Sequence, residues 1–120
     1  MNKELIIKSC EECGTLIKVI KDNNCITCCN KKMIKQVANT NEASAEKHLP
    51  VCKVIDNKIY VVVNHVMDEE HFIEWVSYIT EDKEETVYVK DKAEVTFDYV
   101  AKGTIYSYCN KHGLWKTEIN

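Results

Sequence analysis

Along the second half of the chain, apolar and polar residues alternate with the period of two that a half-buried strand requires. Residues 51–55, 59–64, 71–79, 86–90, 94–100 and 104–109 carry this pattern, separated by short charged turns such as Asp56-Asn57. Evenly spaced short strands predict an antiparallel β-sandwich or barrel. Residues 69–79 have the polar content of a helix, but Phe72, Ile73, Trp75, Val76 and Tyr78 favour a strand there, and no long helix is predicted. The stretch 36–45 is polar and small, which reads as a connector with one helical turn capped by Thr40 or Asn41. The boundary is placed there, giving units 1–36 and 37–120.

Composition narrows the class. A chain of 120 residues is long enough for one modest core and a small appendage. Hydrophobic residues at 45% and charged residues at 29% are the balance of a soluble globular protein. A net charge of -3 argues against nucleic-acid binding, which draws on an excess of Lys and Arg, so any attraction for anions must be local. Residues 1–10 contain only Leu5-Ile6-Ile7 as an apolar run, shorter than a secretory signal needs. No run elsewhere approaches the roughly 18 apolar residues that cross a bilayer. The expectation is a cytoplasmic protein with no membrane contact, in which seven cysteines serve metal ligation better than disulfides.

Five of those cysteines, Cys10, Cys13, Cys25, Cys28 and Cys29, precede residue 30. A tight turn aims two sulfurs at one point while ordering little chain, and Cys10-Glu11-Glu12-Cys13-Gly14 is such a turn, with Gly14 free to adopt positive φ so that backbone amides face the sulfurs. The second pair is ambiguous: Cys25 and Cys28 have zinc-ribbon spacing, whereas Cys28 and Cys29 are adjacent. Five thiols compete for four places, around either iron or zinc.

All four histidines, His48, His65, His71 and His112, follow residue 47 and sit at strand ends or beside turns. By the period of two, His65 shares a face with Ile59, Val61 and Val63, and His71 shares one with Ile73, Trp75 and Ile79. A single histidine on an apolar face is usually a core residue with one satisfied hydrogen bond, but two facing inward across a short turn shift those odds. Cys109-Asn110-Lys111-His112 adds a thiolate and an imidazole in one turn, followed by Gly113. Four imidazoles and one thiolate exceed what a closed tetrahedral zinc site uses, and describe an iron site with one open position for substrate. Lys47, beside His48, can supply the local positive field an anionic substrate needs. Glu46 can fill the open position between substrates.

The motifs 39–51, 65–76 and 109–116, in that order, resemble the iron-binding segments of the desulfoferrodoxins, two-iron superoxide reductases. Cys10-x2-Cys13-Gly14, the adjacent Cys28-Cys29 and the following Met33 resemble that family's desulforedoxin module. The resemblance implies an all-β fold, a small desulforedoxin-like β module followed by an immunoglobulin-like antiparallel β-sandwich, usually paired as a homodimer. It implies that His48, His65, His71 and His112 are equatorial ligands and Cys109 the axial ligand of the reactive iron. Lys47 would steer superoxide and help protonate peroxide, and Glu46 would bind the ferric iron. Cys10, Cys13, Cys28 and Cys29 would hold a second metal, with a rubredoxin-like protein as electron donor. Hydrogen bonds from the Lys111 and His112 amides would moderate the Cys109 thiolate. The chain departs from the family at Val66, where proline is usual, and in carrying Cys25 within a short interval. Cys52 reads as a small buried residue.

Overall fold

Residues 3–120 are described in a computed structural model, and their backbone contacts separate into two compact units, Glu4–Val37 and Ala38–Asn120, the latter joined by Lys3. In the first unit β1 (Ile6–Ser9) lies between β2 (Leu16–Val19) and β5 (Ile34–Lys35) in an antiparallel sheet. A two-stranded ribbon joins β3 (Thr27–Cys28) to β4 (Lys31–Lys32). Cys29 and Asn30, both at positive φ (53° and 63°), form its two-residue turn, the type I′ geometry whose twist matches that of paired strands. Strands of two to four residues are too short to show a period, which is why this unit's strands are not legible in the hydropathy pattern.

The second unit is a sandwich of two antiparallel sheets. One has the order β10-β7-β6 and the other β12-β11-β8-β9, the four-plus-three arrangement of an immunoglobulin-like fold. Its strands are β6 (Val51–Ile55), β7 (Lys58–Val62), β8 (Ile73–Ile79), β9 (Glu84–Tyr88), β10 (Glu94–Asp98), β11 (Gly103–Cys109) and β12 (Gly113–Ile119). Ile59, Val61, Val63, Val95 and Phe97 on one side meet Ile73, Val76, Tyr78, Ile105 and Ile119 on the other. Asp56 and Asn57 form the β6–β7 turn, again with positive φ (50° and 65°). Tyr78 pins the strand connection beyond β10: its hydroxyl donates to Ala101 O and accepts from Ala101 N at 3.2 Å.

Three expectations change. The pattern ends at residue 109, yet β12 forms, because Leu114 and Trp115 are both buried and so interrupt the alternation that a one-sided strand would show. His65 and His71 lie outside the strands that flank them. The face assigned to His71 is also broken by a β-bulge: Tyr108 pairs with Trp75 but Cys109 pairs with Ile73, so Glu74 is the extra residue. Ile73 therefore joins the core with Val76 and Tyr78, while Trp75 stacks on Tyr108 with centroids 5.5 Å apart.

The helical turn of the connector falls at Ala45–Lys47, a 3-10 segment with Ser44 at its N-cap position rather than Thr40 or Asn41. Asn41 accepts from Ala43 N in a local turn, and Asn39 is tied to β12 through Lys116, donating to Lys116 O and accepting from Lys116 N at 2.8 Å. Among the described residues no helix is long and apolar enough to cross a membrane.

Candidate metal centres

Four chain segments deliver side chains to one end of the sandwich. His48 follows the 3-10 turn and precedes β6, His65 follows β7, His71 precedes β8, and Cys109 and His112 flank the β11–β12 turn. Their donor atoms all lie within 4.8 Å of one another. His48 Nε2 stands 3.0 Å from His112 Nδ1, and Cys109 Sγ stands 3.3 Å from His65 Nε2 and 3.9 Å from His112 Nδ1. Cys109 and His48 are buried and the other three are half-buried.

Local hydrogen bonds select which ring nitrogen faces the cluster. His48 Nδ1–H donates to Ser44 O at 2.7 Å and His65 Nδ1–H donates to Val66 O, leaving each Nε2 with a lone pair directed inward. The His71 Nε2 atom is the informative one, since it is buried and has no hydrogen-bond partner. An orphaned buried nitrogen among three more nitrogens and a sulfur has the donor chemistry of a cation site, and the five residues fit a metal ion. Burial lowers the proton affinity of His48 and of His65, against the carbonyl bonds that raise it. Both shifts favour the neutral imidazole, the form that ligates.

The supports of these ligands are also visible. Trp115 stacks on His48 (centroids 4.9 Å, planes 23° apart) and donates its indole N–H to His112 O at 3.2 Å. Ser107 Oγ–H donates to His48 O at 3.0 Å. The turn before His71 is closed by Asp68, whose carboxylate accepts from the amides of Glu70 (3.3 Å) and His71 (2.9 Å). Gly113, at φ 79°, supplies the left-handed residue that ends the β11–β12 turn. Among the described residues the amides of Lys111 and His112 make no hydrogen bond to Cys109 Sγ, whose polar neighbours are the His65 and His112 ring nitrogens.

Glu46 and Lys47 are exposed in the 3-10 turn. Lys47 lines a groove of about 510 Å³ together with Asn64, His65, Met67 and Lys92.

In the first unit the sulfurs of Cys10, Cys13, Cys28 and Cys29 also lie within 4.8 Å of one another, with Cys13 and Cys28 3.6 Å apart. Gly14 has φ 77°, and its amide closes the turn onto Cys10 O at 2.9 Å rather than facing a sulfur. The Thr15 hydroxyl, 3.0 Å from Cys13 Sγ, lowers that thiol to about 6. Cys28, crowded by Cys13 and Cys10, is pushed up to about 12, and Cys29 is raised as well. The Cys28 and Cys29 thiols resist taking negative charge beside their sulfur neighbours, and a cation relieves that resistance. Cys25 is exposed and outside this group, which resolves the competition of five thiols for four places. Cys52 is half-buried against the sandwich core, where burial pushes its thiol up to about 11.

A β-sandwich gathering four imidazoles and a thiolate, in one chain with a four-sulfur β unit, defines a two-site metalloprotein of redox type. A family model described as Desulfoferrodoxin matches residues 40–118. The desulfoferrodoxin of Clostridium acetobutylicum is 38% identical, the match covering 99% of this chain and 100% of that one. The desulfoferrodoxin of Desulfarculus baarsii is 36% identical over 98% of this chain and 99% of its own. Among solved structures, the superoxide reductase from Treponema pallidum superposes with a TM-score of 0.74 at 27% identity, covering 96% of this chain and 99% of that chain. The chain belongs to the desulfoferrodoxin family.

Proposed function

We propose that this chain is a superoxide reductase, converting superoxide, one electron and two protons into hydrogen peroxide without releasing oxygen. The observation that carries the reading is the convergence of His48, His65, His71, His112 and Cys109, with the buried His71 Nε2 left unpartnered for a metal. These five residues would hold an iron ion, whose chemistry there would be one-electron transfer. The remaining chemistry belongs to the protein. Residues 37–120 form the reducing domain and residues 1–36 the module in which Cys10, Cys13, Cys28 and Cys29 hold a second iron or a zinc.

Lys47 attracts the superoxide anion to a chain whose net charge is -3, and its ammonium delivers a proton to the departing peroxide. Its place in the groove beside His65 supports this role. Glu46, one residue before it, would offer its carboxylate to the oxidised metal between turnovers. The neutral imidazoles of His48 and His65 keep the site from charging before the metal enters. The electron comes from a rubredoxin-like one-electron donor, and the protein acts in the cytoplasm as a homodimer.

Iron content per chain, measured anaerobically together with superoxide consumption on an oxygen electrode, tests the reading. Two irons (or one iron and one zinc) per chain with superoxide consumed and no oxygen evolved is the expected result. Stoichiometric oxygen release would identify a dismutase instead, and zinc alone would remove the enzymatic reading.

A further inference from the structure

Asn110 stands between Cys109 and the other residues of the β11–β12 turn, and its side chain reaches across to the turn that carries His71. Its Oδ1 accepts from Phe72 N at 2.9 Å and its Nδ2 donates to Glu70 O at 2.9 Å. Its backbone N–H adds a third bond, to Phe72 O at 3.2 Å. The two residues bonded by the side chain are those immediately before and after His71. One amide thus grips the peptide on both sides of one ligand, while its own backbone is fused to a second ligand, Cys109, and lies two residues from a third, His112.

We propose that Asn110 is the positioning residue that couples the two ligand-bearing turns, setting where His71 Nε2 stands relative to Cys109 Sγ. The inference rests on the reading of the five residues as a metal site. The chemistry of the side chain matters. A primary amide on a short stem offers an acceptor and a donor on two separate atoms, so a carboxylate at this position would keep the bond from Phe72 N but oppose Glu70 O with negative charge. The other closure of the His71 turn, by Asp68, is internal to that turn and cannot set its distance from β11. Ile73 pairs with Cys109 through the bulge, so the strand ladder itself is irregular at this point. The bulge disrupts the ladder locally, and the two side-chain bonds of Asn110 supplement the backbone bond that remains there.

Asn110 is exposed, and its bonds compete with water, so its effect is on geometry more than on folding. Outer supports of metal ligands typically change metal affinity by about 10- to 100-fold. The test uses the full chain with its four-sulfur site loaded and follows competition for ferrous iron against a chromophoric chelator under anaerobic conditions. Asn110→Ala is expected to weaken ferrous iron binding at the five-ligand site by roughly 10-fold or more. Asn110→Asp should fall between that variant and the unaltered chain. In a His71→Ala background the same Asn110→Ala change should alter affinity less than about two-fold, because the ligand it positions is gone.

An equal loss in both backgrounds would show a general structural role and overturn the proposal. So would unchanged affinity in Asn110→Ala. If His71→Ala binds iron too weakly to titrate, the ferric electron paramagnetic resonance spectrum of iron-loaded Asn110→Ala decides: shifted g-values support positioning, and a spectrum identical to that of the unaltered chain overturns it. Failure of the unaltered chain to bind iron at this site removes the site reading itself and the inference with it.

Discussion

The imidazole of His48 lies against the indole of Trp115, with ring centroids 4.9 Å apart and planes 23° from parallel, and the same indole donates to the carbonyl of His112. Trp115 thereby touches two ligands on different segments while being itself fully buried. Truncation to alanine removes a large buried side chain, which typically lowers stability by about 3–5 kcal/mol. Trp115→Phe keeps a ring under His48 and loses only the N–H. We expect Trp115→Ala to unfold far earlier in thermal melts followed by circular dichroism, and Trp115→Phe to melt closer to the unaltered chain while releasing iron faster to a chelator. Equal iron release from Trp115→Phe and the unaltered chain would remove the indole N–H from the argument.

Lys47 shares the groove beside His65 with Lys92, and steering is assigned to Lys47. Local charge raises encounter rates by about 10-fold or more at low ionic strength, and salt screens the effect. Lys47→Ala should therefore consume superoxide on the order of 10-fold more slowly at low salt, with a flatter dependence on ionic strength, read by pulse radiolysis. A rate unchanged at low salt refutes steering.

The four-sulfur group excludes Cys25. Cys25→Ser should keep the full metal content of the first unit, whereas Cys29→Ser should lose about one metal ion per chain, because thiolates in such sites are not replaced by hydroxyls. Cys29 also holds a positive φ of 53° in the ribbon turn, so its replacement by Ser leaves the turn no easier to form. Metal analysis of both variants by mass spectrometry checks the assignment. Loss of metal from Cys25→Ser would overturn it.

Acid should weaken the reactive site first. His48 and His65 have lowered proton affinity in the folded chain, chiefly through burial. The folded state therefore binds fewer protons than the unfolded one, and stability falls as pH falls. This contribution is complete above the unfolded imidazole value of about 6.5 and is lost as pH drops through the lower folded values. Chemical denaturation of the metal-free chain should show a midpoint that is flat above about pH 7 and declines below about pH 6. His48→Gln should reduce the slope of that decline, and an unchanged slope would exclude His48 as a contributor.

Gly103 opens β11 beside the end of β8, and a Cβ placed there would sit 2.2 Å from Ile79 O. The neighbour is backbone and cannot swing aside. Gly103→Ala should destabilise by about 3 kcal/mol, near the upper end of overpacking effects. For a unit of this size that corresponds to a fall in the thermal midpoint of roughly 12–24 °C. A midpoint within about 2 °C of the unaltered chain would show that the strands part without loss.

Much of this was legible in the residues. Alternation placed six sandwich strands, and Asp56-Asn57 announced a turn because those residues tolerate positive φ, as they do here at 50° and 65°. The five-donor site was legible because its residues are rare types at turn boundaries: His48, His65, His71, Cys109 and His112. Asp68, Asn110 and Trp115 fall within the motifs that resemble the family, but nothing in the sequence assigned them, or Ser107, a task at the site. Trp115 reads as core, and the other three read as ordinary turn or strand residues until their partners are known. The strand Gly113–Ile119 was hidden by burial on both faces at Leu114 and Trp115.

What the sequence determined by itself is the chemistry: which donor types exist, that they lie near turns, and that imidazoles and thiolates outnumber the needs of one zinc. Those follow from residue identity and local spacing. Tertiary structure decided the rest. The two-residue turn at Cys29-Asn30 swings one cysteine pair toward the other and leaves Cys25 outside, and the bulge at Glu74 changes which residues accompany Ile73 in the core. Carbonyls of Ser44 and Val66 choose the ring nitrogens of His48 and His65. Each of these depends on atoms brought together through strand pairing or backbone torsion, which no periodicity along the chain encodes.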